Sequence, residues 1–308
     1  MRRTATLFCV QPKNHCSTQG RGEIPGPFSL FARESRTLLY TDSMSYEQCI
    51  VTRNELASFL KSLGVVKGCT VLLQADLSDL PVLVGMETSL LETILNLIGP
   101  SGCLILPTFT RSALDPSCLM DQSIPAFIPY SAWQLVREQH PGYTSRTLPA
   151  DQWAPAANTF LLQTKVKRTE HPCYSFAWSD PAPFKTTLDS LDYPVSYTHI
   201  LKMMKNPSAI NLLFGVPLLD SLMLKMEARE RNMDTTVVKT AFLRRVRRSF
   251  LETFLDSEIT QETAEEISGQ LDVMQTQFEG LPVFRISRPV DAQELALAAS
   301  WTSEEETN

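Results

Sequence analysis

Two apolar segments that flank an amphipathic one constrain the fold more than any other feature of this 308-residue chain. CTVLLQAD (69–76) and GCLILPTF (102–109) have the length and apolar character of buried strands. Between them, METSLLETILNLIG (86–99) has helical periodicity. Its apolar face consists of Leu90, Leu91, Ile94, Leu95 and Ile98. A strand, a helix and a strand within about 40 residues form a βαβ unit, so we predict a parallel sheet covered on both faces.

Further elements precede and follow this unit. Thr52 and Glu55 fit a capping box, in which each side chain satisfies a free backbone N–H at a helix start, and Gly64 ends that helix. AINLLFGV (209–216) predicts a third buried strand, and DSLMLKMEARER (220–231) predicts the helix after it.

The other periodic segments are interpreted as five helices and a strand. The predicted helices are SAWQLVREQH (131–140), AANTFLLQT (156–164), AFLRRVRRSFLETFL (241–255), TQETAEEISGQLDVMQTQF (260–278) and VDAQELALAASW (290–301). LPVFRIS (281–287) predicts the strand. Within 241–255 the apolar residues that recur at helical spacing are Phe242, Val246, Phe250 and Phe254. The four arginines in that segment are interpreted as a solvated face.

Three regions follow from the distribution of proline, glycine and periodicity. Residues 1–43 are rich in both breakers and indicate a loose extension. An upstream start-codon assignment would explain the same extension, because Met44 opens a natural domain start. We predict a single α/β domain over 44–302 and a tail over 303–308.

Composition excludes several classes of function. The net charge of −6 argues against a nucleic-acid or anionic-membrane surface. Apolar runs stop well short of the roughly 18 residues that a membrane span needs. The seven cysteines are scattered and form no CxxC pair, so we expect a reduced, cytoplasmic protein without disulfides or a metal site.

His171 is the central candidate for chemistry, since general searches for phosphate-binding, zinc-protease and serine-hydrolase motifs find nothing in the sequence. A lone histidine is more often a packed core residue than a general base. Cys173, two residues away, permits a Cys–His nucleophile, although a buried, unreactive thiol is the favoured interpretation.

Three long segments together resemble the aminoglycoside N3-acetyltransferase family. They are LGVVKGCTVLL (63–73), GMETSLLETILNLIGPSGCLILPTFT (85–110) and VKRTEHPCYSFAW (166–178). The last is similar to the family's Arg-Ser-x-His-Pro-x-x-Ser-Phe signature, and its matching residues are Arg168, Thr169, His171, Pro172, Ser175 and Phe176. The resemblance extends from Val51 to Trp301. It implies a three-layer α/β/α sandwich with a largely parallel central sheet, of the antibiotic N-acetyltransferase type.

The resemblance also implies a reaction and its site residues. The family transfers an acetyl group from acetyl-CoA, as co-substrate, to an amino group of an aminoglycoside, without a metal. His171 would be the general base, and Asp220 or Glu227 would orient it or the amine. The implied cofactor contacts are Gln74, Ala75, Asp76, Thr108, Phe109 and Ser175.

The chain departs from the family pattern at both ligand sites. Gln74, Ala75 and Asp76 replace the His-Ser-Ser that contacts CoA, and an aspartate facing CoA would repel its phosphates. Lys225 takes a position on the helix that holds the polycationic substrate. Trp153, Ala154 and Asn158 replace a Met-Gly and a glutamate that precede the signature.

Two functions fit these departures. The first is an active acetyl-CoA-dependent N-acetyltransferase with an aminoglycoside or related small-molecule amine as its substrate. The second is a catalytically silent family member that acts as a binding or scaffolding protein. The retained histidine signature favours the enzyme.

Overall fold

A mixed sheet of seven strands forms the centre of the protein. The computed structural model describes residues 50–119, 128–146, 149–151, 155–163, 165–179 and 190–289. Predictions for the extension 1–43, the helix 290–301 and the tail 303–308 concern residues outside these ranges.

The strands of the described chain fall into one large sheet and two pairs. In chain order they are β1 (Ile50–Val51), β2 (Thr70–Ala75), β3 (Val82–Leu83), β4 (Cys103–Pro107), β5 (Lys167–Arg168), β6 (Phe176–Trp178), β7 (Ala209–Phe214), β8 (Thr235–Arg245), β9 (Arg248–Glu258), β10 (Asp272–Phe278) and β11 (Leu281–Ser287). The large sheet has the order β10-β11-β7-β2-β4-β6-β5, while β1 pairs with β3 and β8 with β9.

The predicted βαβ unit is confirmed. Strands β2 and β4 are parallel neighbours, with Thr70 opposite Cys103, and the third predicted strand, β7, runs parallel to β2 on its other side. Within the seven-stranded sheet, parallel pairing is confined to these three strands, because β11, β10, β6 and β5 all join by antiparallel pairing. The sheet is therefore less parallel than the resemblance implies.

Helices cover both faces of this sheet. In chain order they are α1 (Arg53–Ser62), α2 (Met86–Ile98), α3 (Trp133–Gln139), α4 (Pro155–Leu161), α5 (Pro194–Tyr197), α6 (Leu222–Glu230) and α7 (Gln261–Ser268). Alternate residues of β2 enter different cores: Val71 and Leu73 pack with α1, α2 and α4, whereas Leu72 packs with α5 and α6. This alternation follows from the two-residue period of a strand. The predicted three-layer α/β/α class is thereby confirmed.

Helix α1 begins with the predicted capping box. Glu55 N–H donates to Thr52 Oγ1 at 3.3 Å, and Thr52 N–H donates to Glu55 Oε2 at 2.8 Å. Both groups would otherwise lack partners at the start of the helix.

The helix predicted over 241–255 is wrong. These residues belong to the antiparallel hairpin of β8 and β9, in which Leu243 lies opposite Phe250. The series Phe242, Val246, Phe250 and Phe254 recurs every four positions, and four is a multiple of the strand period as well as close to a helical turn. The spacing therefore did not distinguish a strand from a helix, and the pairing of β8 with β9 decided.

The helix predicted over 260–278 is wrong in its second half. Helix α7 ends at Ser268, and β10 follows and pairs with β11 through Gln275 opposite Phe284. The turn between the two strands places Glu279 and Gly280 at positive φ, a conformation that glycine adopts without steric cost. Pairing with the predicted strand 281–287 thus overrides the helical pattern.

The longest helix in the described ranges is α2, with 13 residues. None of the helices within those ranges has the length and apolar character that crossing a membrane requires.

Candidate active site

A cleft of about 570 Å³ opens at the carboxyl ends of the parallel strands. The strand residues that line it are Leu73, Gln74, Ala75, Leu106 and Pro107. Open α/β sheets bind ligands at this edge, where loops of neighbouring strands diverge. The cleft is therefore the candidate active site.

Gln74 builds one wall of the cleft by fixing the turn that precedes α6. Its Nε2 donates to the carbonyl of Asp220 at 2.8 Å, and its Oε1 accepts the N–H of Leu222 at 2.9 Å. Asn211 of β7 supports the same turn, since its Oδ1 accepts a bond from Ser221 Oγ at 2.8 Å. The amide of Gln74 thus positions Asp220 at the cleft.

Asp76 follows β2 but turns away from the residues that line the cleft. Its carboxylate accepts the N–H of Ser78 at 3.0 Å, and its own N–H donates to Phe214 at 2.8 Å. An aspartate commonly stabilises a turn by accepting from the backbone two residues on. The negative charge that would repel CoA phosphates is therefore directed to solvent.

His171 is a buried residue and does not line the cleft. Nδ1 accepts the N–H groups of Cys173 and Tyr174 at 3.2 and 2.9 Å. Nε2 lies 3.1 Å from the carbonyl of Leu191, so these partners assign the proton to Nε2. Burial lowers the pKa of His171 to about 4, and the Leu191 hydrogen bond only partly opposes this effect. The ring is neutral near pH 7, with both nitrogens engaged.

Thr108 and Ser175 form a buried cluster with Arg168. The Nε of Arg168 donates to Thr108 Oγ1 at 3.1 Å and to Ser175 Oγ at 3.0 Å. Both hydroxyl-bearing side chains are fully buried. The guanidinium lies 5.2 Å from the ring centroid of Tyr143. The cluster joins the loop after β4 to the signature segment, and neither hydroxyl faces the cleft.

Lys239 is the centre of a charged network on another wall of the cleft. Its Nζ lies 2.8 Å from Asp256 Oδ2, 2.9 Å from Tyr174 Oη and 3.1 Å from Glu258 Oε1. Lys225 lies 3.4 Å from the other oxygen of Asp256. We call these five residues the Asp256 network.

The network shifts the pKa values of its two lysines in opposite directions. Burial lowers the pKa of Lys225, and the neighbouring Lys239 ammonium acts in the same direction. Burial alone would lower the pKa of Lys239 too, but Tyr174 and Asp256 outweigh it and raise the pKa. Sequence reasoning missed Lys239, Asp256 and Glu258 because the hairpin that carries them was assigned to a helix or not assigned.

Asp151 is a second residue that sequence reasoning missed. Both of its carboxylate oxygens accept the N–H of Arg111, at 2.9 and 3.0 Å. Its own N–H donates to Phe109 at 2.8 Å, and burial raises the pKa of its carboxyl. Asn158 fixes the backbone just before Asp151, since its side-chain oxygen accepts the N–H of Ala150 at 2.9 Å. Asp151 therefore lines the cleft as a half-buried carboxylate.

The structure brings some of the predicted site residues together and separates others. Gln74, Ala75, Phe109 and Asp220 line the cleft. Glu227 lines a different pocket of about 290 Å³ and pairs there with Arg231 at 3.2 Å and with Arg288.

Two further residues considered in the sequence are accounted for. Burial raises the pKa of Cys173 well above its ordinary value, which makes a nucleophilic thiolate unfavourable. Trp153 lies outside the described residues. No group of three metal-ligating side chains forms within the described ranges.

An α/β/α sandwich with a cleft at the ends of its parallel strands is an arrangement in which α/β proteins commonly bind small molecules. The chain belongs to the aminoglycoside 3-N-acetyltransferase family, whose model matches residues 72–280. The resemblance seen in the sequence is confirmed.

A curated relative supports this assignment. The SPbeta prophage-derived aminoglycoside N(3')-acetyltransferase-like protein YokD of Bacillus subtilis is 29% identical over 129 residues, which are 41% of this chain. The alignment spans 46% of that relative, less than half of its length.

Solved structures show the same fold. YokD has a TM-score of 0.65 at 20% identity, covering 77% of this chain and 93% of YokD. AAC-VIa bound to sisomicin has a TM-score of 0.59 at 18% identity, covering 83% and 98%. AAC-IIIb in a binary complex with CoASH has a TM-score of 0.60 at 16% identity, covering 83% and 97%.

Proposed function

We propose that this protein is an acetyl-CoA-dependent N-acetyltransferase that acts on an amino group of a small-molecule amine in the cleft. The observation that carries the proposal is a cleft of about 570 Å³ on the family scaffold, which contains both carboxylate and ammonium side chains. Ligand sites commonly have about 300–1,000 Å³. AAC-IIIb with CoASH and AAC-VIa with sisomicin support the two kinds of substrate.

Acetyl transfer from an ammonium requires two protons to leave the acceptor nitrogen. The first leaves before attack and goes to a base, and the lone pair of the resulting amine attacks the thioester carbonyl carbon. The C–S bond breaks as the C–N bond forms, the nitrogen releases its second proton as the amide forms, and the departing CoA thiolate takes up one proton, so one proton is released overall. A positioned side chain that accepts the proton from the amine commonly accelerates such a step about 10²–10⁴-fold.

Asp151 is our proposal for the group that binds the attacking amine and accepts its proton. Its carboxylate lines the cleft, and its burial-raised pKa makes it a stronger base than an ordinary aspartate. With its proton on Nε2, His171 could accept a second proton only at Nδ1, which would first have to release the N–H groups of Cys173 and Tyr174. The predicted role of His171 as the base is therefore not the one that we propose.

The other predicted residues take roles that depend on their positions. Asp220, at the cleft, keeps the predicted role of orienting the amine. Gln74, Ala75 and Phe109 are proposed to form the wall beside the thioester arm of acetyl-CoA. Thr108 and Ser175 are proposed to support this wall from behind, through Arg168. Glu227 is given no role in the transfer, because it lines the other pocket.

The first experiment is a calorimetric titration of acetyl-CoA into the purified protein. Mass spectrometry of mixtures with sisomicin and with simple amines then detects N-acetylated products. Micromolar binding and acetylation of an amine would support the proposal. Absence of both binding and product would contradict it and favour a silent scaffold protein.

A further inference from the structure

The cleft contains opposite charges on either side of an aromatic floor. Asp151 is joined to Phe109 by a backbone hydrogen bond of 2.8 Å. The rings of Phe109 and Tyr174 contact edge to face, with centroids 5.0 Å apart. Lys225 Nζ lies 5.5 Å from the centroid of the Tyr174 ring. A carboxylate, two aromatic rings and an ammonium thus follow one another along the cleft.

From this arrangement we propose that the acceptor is an amine that also carries an anionic group, which Lys225 binds. The amino group would lie at Asp151, the apolar part over Phe109 and Tyr174, and a carboxylate or similar anion at Lys225. The inference rests on the proposed acetyl transfer and specifies its substrate class. An acceptor of this class differs from a polycationic acceptor in carrying a negative charge.

Lys225 keeps the capacity to bind an anion because its protein partner is shared. Asp256 Oδ2 pairs with Lys239 at 2.8 Å, and Asp256 Oδ1 accepts the N–H of Ser257 at 2.8 Å. Lys225 reaches Oδ1 only at 3.4 Å, and no other carboxylate in the described part of the chain lies within ion-pair distance of it. An ammonium has three N–H donors, so at least one is available to a ligand.

Asp256, the carboxylate that pairs with both Lys225 and Lys239, does not line the cleft. The Asp256 side chain is only 1% exposed, whereas Lys225 lines the cleft. Glu258 also lines it, but its side chain is 55% exposed, so water screens its charge. Glu258 pairs with Lys239 at 3.1 Å, so Lys225 is the less compensated of the two ammonium groups at the cleft. Burial lowers the pKa of Lys225, and an anion beside it would favour its charged form.

A polycationic acceptor meets like charges on the same wall. Lys225 and Lys239 both line the cleft on the side of Tyr174. Like charges in a partly desolvated cleft repel more strongly than in water. Within the described residues, Asp151 and Asp220 are the cleft carboxylates that remain for amino groups, because the third, Glu258, pairs with Lys239 at 3.1 Å.

The test uses three amines of equal chain length. They are 5-aminopentanoate with an anionic end, pentylamine with a neutral end and 1,5-diaminopentane with a second cation. Binding of each to the CoASH-saturated protein is measured by saturation-transfer NMR, and acetyl transfer is measured separately by mass spectrometry. We expect the aminopentanoate to bind at least about 10-fold more tightly than the diamine, the size of one charge-assisted contact.

Two variants test whether the charged residues around Lys225 cause the preference for aminopentanoate over the diamine. Lys225→Gln should reduce the preference to about 2-fold or less, because the amide keeps the length but not the charge. Glu258→Gln should increase it, because it removes a competing carboxylate. Lys61→Gln, on the exposed side of α1, is the control and should leave the preference unchanged.

The experiment distinguishes a failure of amine binding from a failure of acetyl transfer. Diamine binding equal to or tighter than that of aminopentanoate, or a preference unaltered in a folded Lys225→Gln variant, would overturn the inference about the acceptor. Failure of all three amines to bind would also overturn it. Anion-selective binding without acetylation would leave the inference in place and contradict the proposed transfer.

Discussion

His171 donates its Nε2–H to the backbone carbonyl of Leu191 at 3.1 Å, and this bond holds the ring in the interior of the protein. Leu191 lies in the segment before α5 and packs in the hydrophobic cluster that includes Tyr174. The ring of Phe254, from the hairpin, contacts the same imidazole with centroids 4.9 Å apart. The histidine therefore connects three chain segments.

Replacing His171 with Gln should reduce stability more than catalysis. The change breaks hydrogen bonds to three backbone groups, and we expect the free energy of unfolding to fall by about 2 kcal/mol. Denaturant titration measures this loss, and kcat/KM below the transition should change less than about 5-fold. His140→Gln is the control, since His140 packs on Phe242 of the same hairpin. Unchanged stability with a loss of about 100-fold in kcat would instead identify His171 as the base.

The buried imidazole should also make stability depend on pH. The pKa of His171 is about 4 in the folded protein, below its value of 6.5 in the unfolded chain. The unfolded chain binds the proton first, so this stability is complete above pH 6.5 and is lost as the pH falls toward 4. We expect a loss of about 2 kcal/mol between pH 7 and pH 5. Denaturation curves of the wild type and His171→Gln should converge at low pH, and parallel curves would contradict the assignment.

Asp151→Asn should remove transfer activity without weakening acetyl-CoA binding. The amide preserves the shape but cannot accept the proton of the amine, so kcat should fall about 100-fold or more. The Kd of acetyl-CoA by calorimetry should stay within about 2-fold. The acidic limb of the wild-type kcat/KM profile should lie above the usual pKa of an aspartate, because burial raises the pKa of Asp151. Asp79→Asn in the exposed loop after β2 is the control, and equal activities of the two variants would contradict the role.

Ser175→Ala should weaken the buried cluster and leave the cofactor affinity unchanged. Arg168 Nε would lose one acceptor but keep Thr108 Oγ1 at 3.1 Å. We expect a loss of about 1–2 kcal/mol in the free energy of unfolding. A large increase in the Kd of acetyl-CoA at unchanged stability would restore Ser175 as a direct cofactor contact.

Val246→Gly tests the hairpin directly. Val246 has φ of 57° in the turn between β8 and β9, and its side chain is 97% exposed. A β-branched residue is strained at positive φ, so glycine there should raise the free energy of unfolding by about 1 kcal/mol. In a helix the same change would lower it by about 1 kcal/mol. A destabilised variant would therefore support the helix that the sequence predicts for 241–255.

Local sequence determined the elements whose signals lie within one short segment. The capping box of Thr52 and Glu55, the βαβ unit and the strand 281–287 all depend on neighbouring residues, and the structure has each of them. The family signature around His171 was likewise visible, because a motif is a local pattern. The entry of alternate β2 residues into different cores follows from strand periodicity.

Tertiary structure decided the hairpin and most of the candidate site. Phe242, Phe250 and Phe254 have a spacing that satisfies both helix and strand, so only pairing between β8 and β9 could choose. Lys225 and Asp256 are 31 positions apart in the sequence, and Phe109 and Asp151 are 42 apart. Contacts over such separations depend on which faces the fold brings together, and no local pattern records them. For the same reason the sequence marked His171 as a candidate base but could not show its burial against Phe254 or its hydrogen bond to the carbonyl of Leu191.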